Sequence, residues 1–415
     1  MAAAAAPVAS LPVDMLANIH SRLSLLDRLA FAAVFRASRD AFKPEAPCLV
    51  LPGDAPVAAT LFSLSDHRAA AVLAPDPDHA VLGSSSRGWL VTADDRARLH
   101  LVNPATGERR ALPAIDTIPC LNARCQRSYF TFHEMWFLRG PPPYPCGTMT
   151  FRAEEMRRFL YRKVVLSDSA AIAMLITGPD YGVAAFAMAG GGVWRLALPR
   201  DGVEPVATTE AGAWRLRHSR NAIEDAVHHE GRFYSISYSG QVETWEERDG
   251  DAPGVFASSV IAPRLLLPAD SDHRKYLVAA PGGQLMVVLK ETMGRRSSPS
   301  FKVLKETTGR HTCSFKVEVL DTGRGEWKET NDIGEAALFV GVKGSLCVST
   351  REHPELRTGC VYYNTENDLG PYKDAHDDDN GVWVFSLKDR RAKKAEGLRW
   401  HRSWPPPAWF IPSIP

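Results

Sequence analysis

Hydrophobic residues near the N-terminus recur with the period of an α-helix. Leu16, Ile19 and Leu23 are spaced by three and four, which places them on one helical face. A second apolar set with the same period follows: Leu26, Leu29, Ala30, Ala33 and Val34. The pattern predicts two short amphipathic helices in close succession.

Local signals mark the ends of these helices. Pro12 suits a first helical position, where its missing N–H would have had no partner. Ser24 followed by Asp27 is typical of a capping box, and Ser38 is expected to cap a third short turn that Pro44 closes. Three such helices bury too little apolar surface to fold alone. We therefore expect their apolar faces to pack against the rest of the chain or against a partner protein.

The stretch from Leu11 to Asp40 resembles a known docking module, the F-box. The resemblance rests on the pattern LP-x-D-x-L-x-x-I-x-x-R-L, followed by Asp27 and by Val34-Phe35-Arg36. It implies docking on the Skp-type adaptor of cullin–RING ubiquitin ligases. The adaptor-binding residues expected from it are Leu11, Pro12, Leu16, Ile19, Leu23, Val34 and Phe35.

The chain departs from the F-box pattern at two places. The family usually has Cys-Lys after the valine, where this chain has Phe35-Arg36, and it usually has Trp where this chain has Ser38. Both departures fall on the third helix. The start of the module at Leu11 and Pro12 keeps the family pattern.

From Val81 onward, the pattern changes to short alternating strands separated by turns. GWLVT and RLHLVN form one such unit, followed by the turn signal Pro-Ala-Thr-Gly. Similar units recur at roughly 45 to 60 residues, with one gap of about twice that length. Each four-stranded sheet has two apolar faces and buries both by stacking on neighbours in a closed ring. The sequence thus predicts a mainly β fold with a β-propeller-like domain; a pair of β-sandwiches is the alternative.

This second part also resembles a family. GSSSRGWLV, LVNPATGERRALP, GRFYSIS, FKVEVLD and CVYY are similar to the C-terminal domain of unknown function of a large plant F-box family. The resemblance implies a β-propeller.

These patterns divide the chain into five segments. They are a disordered leader (1–9), an F-box (10–45), a linker with first strands (46–80), a β-propeller-like domain (81–400) and a Pro/Trp-rich tail (401–415). We expect the tail to dock on the propeller with Trp404 and Trp409 as buried anchors. Presentation of its polyproline to a partner is the alternative.

Composition narrows the classes of function. With a formal net charge of +1, the protein as a whole has no strong electrostatic attraction to nucleic acid or to a membrane surface. No apolar run approaches the roughly 20 residues of a membrane-spanning helix, and the N-terminus lacks the features of a secretory signal. Seven cysteines at irregular spacings favour a reducing compartment, cytoplasm or nucleus.

No combination of residues indicates a catalytic centre, a metal site or a cofactor. His228 and His229 are adjacent on a predicted strand and so point to opposite faces. Cys120, Cys125 and Cys146 lack the spacing of a zinc site. The acidic run 377–380 lacks the acid that a calcium loop requires at its last position. The basic run 388–394 suggests either nuclear import or a solvated turn.

The leading hypothesis is a non-enzymatic substrate receptor of a Skp–cullin–RING ubiquitin ligase, with an unknown protein target. The alternative is a propeller that binds and inhibits or scaffolds a partner, for example a kinase, without degradation. It is motivated by Phe35 and Ser38. A third hypothesis, a propeller hydrolase, requires convergent carboxylates in the central channel.

Overall fold

An N-terminal helical segment precedes a ring of β-sheets in this computed structural model. The structure describes residues 11–55, 58–72, 75–76, 78–85, 87–118, 121–124, 129–133, 148–177, 184–197, 222–248, 253–265, 273–292, 313–321, 323–364, 381–395 and 407–414. The predicted leader 1–9 and residue Trp404 lie outside these ranges.

The two helices predicted from the apolar period are present. Helix α1 spans Val13–Ser21 and helix α2 spans Leu25–Val34. The third helical element is a 3₁₀ helix, Arg36–Ala41. This element is short, and it lies where the sequence departs from the F-box pattern.

The helix ends differ from the prediction in detail. Pro12 is the N-cap of α1, one position before the first helical residue. Ser24 is the N-cap of α2, but its hydroxyl donates to Asp27 Oδ2 at 2.5 Å and caps no backbone N–H, so the expected capping box does not form. Ser38 lies inside the 3₁₀ helix, whose N-cap is Phe35. The acid at Asp27 still lies at the positive end of the helix dipole.

Short strands form most of the remaining described chain. The first half contains β1 Cys48–Ala55, β2 Ala58–Ser63, β3 Arg68–Val72, β4 Ala80–Ser84, β5 Leu90–Ala93, β6 Leu99–Val102, β7 Arg109–Ala111, β8 Leu121–Arg124, β9 Tyr129–His133, β10 Thr148–Arg152, β11 Tyr161–Leu166, β12 Ile172–Thr177, β13 Ala184–Met188 and β14 Arg195–Leu196. The second half contains β15 Ile223–His229, β16 Arg232–Ser237, β17 Val242–Glu247, β18 Phe256–Ala262, β19 His273–Ala279, β20 Leu285–Thr292, β21 Cys313–Asp321, β22 Glu326–Thr330, β23 Ala336–Val340, β24 Leu346–Ser349, β25 Cys360–Asn364, β26 Val382–Ser386, β27 Arg391–Lys394 and β28 Ala408–Phe410. Short helical segments also occur at Ile115–Thr117, Ala153–Glu155 and Met156–Leu160.

Within the described ranges, these strands form a six-bladed β-propeller. Blade I has the strand order β28-β1-β2-β3, blade II β4-β5-β6-β7, blade III β11-β12-β13-β14, blade IV β15-β16-β17-β18, blade V β19-β20-β21-β22 and blade VI β24-β23-β25-β26-β27. The inner strands β28, β4, β11, β15, β19 and β24 contact one another in that order around the channel. A three-stranded sheet, β10-β9-β8, is inserted between blades II and III. The predicted mainly β fold and propeller are confirmed.

An apolar core fills each junction between neighbouring blades. Between blades III and IV, for example, Phe186 stacks on Phe256 at 4.0 Å and meets Phe233 edge-on at 5.5 Å. Equivalent clusters lie at the other five junctions. Each sheet thus buries both faces against its neighbours, which is the arrangement that makes a ring of small sheets stable.

The chain closes the ring by pairing its two ends within blade I. Strand β28 pairs antiparallel with β1, with Cys48 opposite Phe410. Trp409 is buried between blades VI and I, and its Nε1 donates to the carbonyl of Val340 at 3.0 Å. Residues 48–72, which the sequence analysis assigned to a linker with first strands, form three strands of this blade. The tail docks on the propeller through Trp409.

Gly83 on β4 of blade II lies directly against the backbone of β11 of blade III. A Cβ at this position would overlap the backbone carbonyl of Val164. We expect Gly83→Ala to lower the free energy of unfolding by about 1–3 kcal/mol, because overpacking forces the two backbones apart. Gly192→Ala is the control, since its Cβ would meet no atom within 4 Å. Chemical denaturation would check this, and equal stabilities of the two variants would contradict it.

Candidate functional site

The helical segment has an internal core of aromatic side chains. His20 stacks on Phe42 with ring centroids 4.5 Å apart, and Phe31 contacts both Phe35 and Phe42. Leu16 is only 2% exposed. Burial lowers the pKa of His20 below its usual value, so at neutral pH the neutral imidazole fills this core. These contacts hold α1, α2 and the 3₁₀ helix together.

Helix α2 fixes this segment directly to blade I. Leu25 and Leu29 belong to the apolar core that includes residues of β1, β2 and β28. Arg28 forms a two-pronged hydrogen bond with Glu45 at 2.8 Å and an ion pair with Asp66 at 3.3 Å. Burial lowers the pKa of Arg28, but its bonds to the two acids outweigh this effect and raise the pKa above its usual value. The helices are therefore part of the propeller's own packing.

Two further contacts tie the segment to the ring. Lys43 pairs with Glu355 of blade VI at 3.1 Å. Arg39 donates to the carbonyl of Ile414 at 3.4 Å, just after β28. Together with the contacts of α2 to blade I, these contacts to blade VI and to the C-terminal segment define one orientation of the helices relative to the propeller.

Helices α1 and α2 carry exposed apolar residues. Six large apolar side chains are exposed in the described ranges, and four of them lie on α1 and α2. They are Val13 and Met15, each 49% exposed, Leu26 at 36% and Val34 at 74%. Together with the exposed Pro12, we call these residues the helical apolar surface. Four of the six exposed large apolar side chains therefore lie on two short helices, which makes these helices a candidate interface.

The structure divides the seven predicted adaptor-binding residues into three groups. Pro12 and Val34 are exposed. Four are half-buried, namely Leu11, Ile19, Leu23 and Phe35. Leu16 is buried, at 2% exposure.

Sequence reasoning missed three residues of the helical apolar surface. Val13, Met15 and Leu26 are exposed, yet they were not among the predicted residues. The sequence signal for these three residues is that each helix has more apolar residues than one apolar face requires. An amphipathic helix needs one apolar stripe for its own fold, and additional apolar residues require a different explanation.

A cluster of mostly buried charged side chains lies where the inner strands of neighbouring blades meet. We call it the channel cluster; its residues are Arg162, Lys163, Glu224, Asp225, Arg274, Lys275 and Lys343. Arg162, Glu224 and Arg274 are the second residues of three successive inner strands, β11, β15 and β19. Equivalent positions on neighbouring inner strands bring them to the same end of the channel.

Both carboxylates of the channel cluster are in buried ion pairs. Asp225 Oδ1 accepts from Lys163 Nζ at 2.6 Å, and its Oδ2 accepts from the backbone N–H of Leu277 at 2.8 Å. Glu224 accepts from both the backbone N–H and the Nζ of Lys275. The propeller-hydrolase hypothesis required carboxylates available for acid and base roles. Both carboxylates are instead engaged in ion pairs and backbone hydrogen bonds that join blades III, IV and V.

The other sequence candidates have ordinary environments or lie outside the described residues. His228 pairs with Asp168 at 3.4 Å and His229 with Glu230 at 3.5 Å. In the described ranges, no group of three or more metal-ligating side chains converges. Cys120, Cys125, Cys146 and the acidic run 377–380 fall outside those ranges.

The basic run 388–394 forms a turn and the outermost strand of blade VI. Strand β27 pairs with β26, with Lys394 opposite Trp383, and its lysines are exposed. Charged residues on an edge strand discourage pairing with other chains. This placement favours the solvated-turn alternative for these residues. No helix within the described parts of the chain has the length and apolar character needed to span a membrane.

Comparison with known proteins identifies the propeller and points to F-box relatives. A family model described as "KIB1-4 beta-propeller" matches residues 61–386. The chain is 26% identical over 178 residues to the F-box/kelch-repeat protein At1g64840 of Arabidopsis thaliana, covering 40% of this chain and 41% of that protein. It is 29% identical over 126 residues to the putative F-box protein At5g60060 of Arabidopsis thaliana, covering 28% of this chain and 31% of the relative. These matches confirm the resemblance to a plant F-box family with a propeller domain, although the chain spans less than half the length of either relative.

Among solved structures, the chain is similar to the β-propeller domain of Myceliophteria thermophila Cps50 (Swd1). The match has a TM-score of 0.31 and 10% identity, and it covers 68% of this chain and 81% of the other. A likeness of this size supports no functional comparison.

Proposed function

Because this chain belongs to the KIB1-4 beta-propeller family, we propose that it is the substrate-recognition subunit of a Skp–cullin–RING ubiquitin ligase. The helical apolar surface carries this proposal. It consists of exposed apolar residues on two helices that resemble an F-box, and the relatives of this chain in Arabidopsis thaliana include proteins named as F-box proteins. The cytoplasm or nucleus is the corresponding compartment.

In this proposal, the Skp-type adaptor covers Pro12, Val13, Met15, Leu26 and Val34. Burial of these apolar side chains supplies the affinity. A protein target binds elsewhere on the propeller. The chain itself makes and breaks no bond; it raises the effective concentration of a target lysine near the charged ubiquitin carrier.

The rigid junction between α2 and blade I has a role in this scheme. Arg28 links α2 to Glu45 and Asp66, while Leu25 and Leu29 share the core of blades I and II. A flexible linker would spread the target over many positions relative to the adaptor. A fixed junction keeps the target within a narrow range of distances, which favours transfer to particular lysines.

The test is co-purification of the full chain with a Skp-type adaptor, comparing wild type with Val34→Asp and Met15→Asp. Burying an unpaired charge in the interface should cost about 2–4 kcal/mol, a loss of affinity of roughly 30- to 1,000-fold. Both residues are exposed in the free chain, so we expect the melting temperatures to stay near that of wild type.

Val193→Asp is the matched control, because Val193 is a similarly exposed valine, 43%, on blade III. It should bind the adaptor as wild type does. If wild type itself fails to bind any Skp-type adaptor, the proposal is wrong. The chain would then be better described as a propeller that blocks or scaffolds its partner. Equal loss of binding in all three variants would also count against the helical apolar surface.

A further inference from the structure

The buried side chain of His20 joins α1 to the rest of the helical segment. The residue is 3% exposed, and its ring stacks on that of Phe42 with the two planes 8° apart. Phe31 lies tilted against the same ring, with centroids 6.1 Å apart. The imidazole thus takes a place that an apolar aromatic ring could fill. Unlike such a ring, it can gain a proton between about pH 5 and pH 8.

Two charged side chains face His20, and they are already bonded to each other. Its Nε2 lies 4.0 Å from Glu45 Oε1. Both oxygens of that carboxylate accept from Arg28 of α2, at 2.8 Å from Nε and 2.8 Å from Nη2. Arg28 also pairs with Asp66, on the side away from the histidine partner Glu45 in the sequence order of its contacts. A protonated His20 would therefore share Glu45 with a guanidinium that lies closer to it.

Burial among aromatic rings is the main obstacle to charging His20. Burial lowers the pKa of the imidazole, attraction to Glu45 raises it and repulsion from Arg28 lowers it, and the net shift is downward. A charged ring is costly in an apolar core unless its partner is fully available to it. The stack on Phe42 is therefore stable with a neutral ring and is weakened by a proton.

Helix α1 depends on this internal packing more than α2 does. It packs mainly on α2 and on the 3₁₀ helix. Helix α2 is itself fixed to blade I by apolar contacts and by its ion pairs. The end of the segment that α1 forms includes three of the five residues of the helical apolar surface, namely Pro12, Val13 and Met15. Loosening of the core would displace these three residues while α2 stays in place.

We propose that His20 makes docking of the Skp-type adaptor pH-dependent. Protonation of the imidazole loosens its stack on Phe42, releases α1 from the helical segment and thereby weakens binding of the adaptor. The inference rests on the proposed function for the identity of the docking partner. Release of α1 is a property of the free chain and can be measured without that partner.

The direction of the pH dependence follows from the neutral state of the buried ring. The folded segment lowers the pKa of His20 below the ordinary value for histidine, about 6.5. The contribution of His20 to holding α1 is therefore complete above about pH 6.5 and is lost as the pH falls through the lowered pKa. We expect α1 to be docked at about pH 7.5 and to open more often at about pH 5.5.

The first measurement is hydrogen exchange of the full chain without the adaptor, expressed as protection relative to the intrinsic exchange rate at each pH. In wild type, protection of α1, Val13–Ser21, should fall several-fold relative to α2, Leu25–Val34, between about pH 7.5 and about pH 5.5. The upper limit is about tenfold, because a single histidine is then about one pH unit below its ordinary pKa. His20→Phe, which keeps an aromatic ring on Phe42 and cannot be protonated, should remove this fall.

His228→Phe is the matched control. His228 is also a buried histidine beside an aromatic ring and an acid, with 5% of its side chain exposed, but it lies on β15 of blade IV. Burial lowers its pKa as well. This variant should keep the wild-type pH dependence of α1.

The second measurement is the affinity of wild type and both variants for a purified Skp-type adaptor at the same two pH values. The ratio of the two dissociation constants should be several-fold larger for wild type and His228→Phe than for His20→Phe. The ratio for His20→Phe gives the part of the pH dependence that comes from the adaptor or from other groups. If His20→Phe does not fold, His20→Leu supplies a neutral side chain at the same position.

The outcomes separate this inference from the proposed function. A loss of α1 protection at low pH in wild type but not in His20→Phe supports it. If the adaptor binds wild type at neither pH, the proposed function fails, while the exchange data still decide whether His20 controls α1. Equal protection of α1 at both pH values in wild type, or an equal loss in His20→Phe, overturns the inference. Release of α1 with the same affinity ratio in all three proteins overturns its link to docking.

Discussion

Replacement of Asp225 by alanine is expected to lower the free energy of unfolding by about 3–5 kcal/mol. The carboxylate is buried and accepts from Lys163 of blade III and from the backbone N–H of Leu277 of blade V. Its removal leaves a buried ammonium without its partner and an unsatisfied amide. Both losses fall on the inner strands that join three blades, so we expect the whole propeller to unfold at lower denaturant concentration.

A double variant separates the charge from the packing. Lys163→Met/Asp225→Leu removes both charges together and should recover part of the lost stability, because no unpaired ion remains. Recovery should be incomplete, since the Leu277 amide still lacks its acceptor. Denaturation monitored by tryptophan fluorescence measures all three unfolding free energies. An Asp225→Ala protein within 1 kcal/mol of wild type, on the order of a surface substitution, would mean that water or another group replaces the carboxylate.

The helices were predictable because their signal is local. Apolar residues at spacings of three and four identify α1 and α2 without knowledge of the rest of the chain. Which residues of α1 are buried was less predictable. Leu16 and Ile19 share a stripe in the sequence, but Leu16 is buried whereas Ile19 is half-buried. This difference depends on how α1 packs against its neighbours, which the spacing of apolar residues along the chain does not specify.

The propeller was predictable from repeated strand units, but its closure was not. Strand β28 pairs with β1 across nearly the full length of the chain, and no local pattern indicates such a pairing. Residues 46–80 contain Pro, Gly and Asp between short apolar runs, which made them look like a connector. The parallel pairing of β23 with β25, with β24 on the channel side, is likewise set by tertiary packing.

The channel cluster could not be predicted because it reverses the usual rule for charged residues. Lys and Glu within strands are normally assigned to the solvent face. Lys163, Glu224 and Lys275 are instead buried where inner strands meet. Their partners come from different blades, so each looks like a surface residue when its own strand is considered alone. Only the closed ring brings the opposite charges together.

Replacement of Trp409 by alanine is expected to cost about 3–5 kcal/mol of stability and to weaken closure of the ring. The indole is 1% exposed, meets Phe339 edge-on at 5.0 Å, and donates to the carbonyl of Val340. Its loss leaves a cavity between the first and last blades and an unsatisfied carbonyl. Because β28 has only three residues, its pairing with β1 depends strongly on this anchor.

Hydrogen exchange gives this prediction a local readout besides the unfolding free energy. In Trp409→Ala, amides of β28 and β1 should exchange faster than those of blade IV, because the ring opens first where its ends meet. Trp327→Ala is the control, since Trp327 is half-buried on the outer strand β22 and should cost less stability. Equal exchange in all blades would mean that the ring unfolds as one unit. In that case the C-terminal strand would contribute to global stability without acting as a separate closing element.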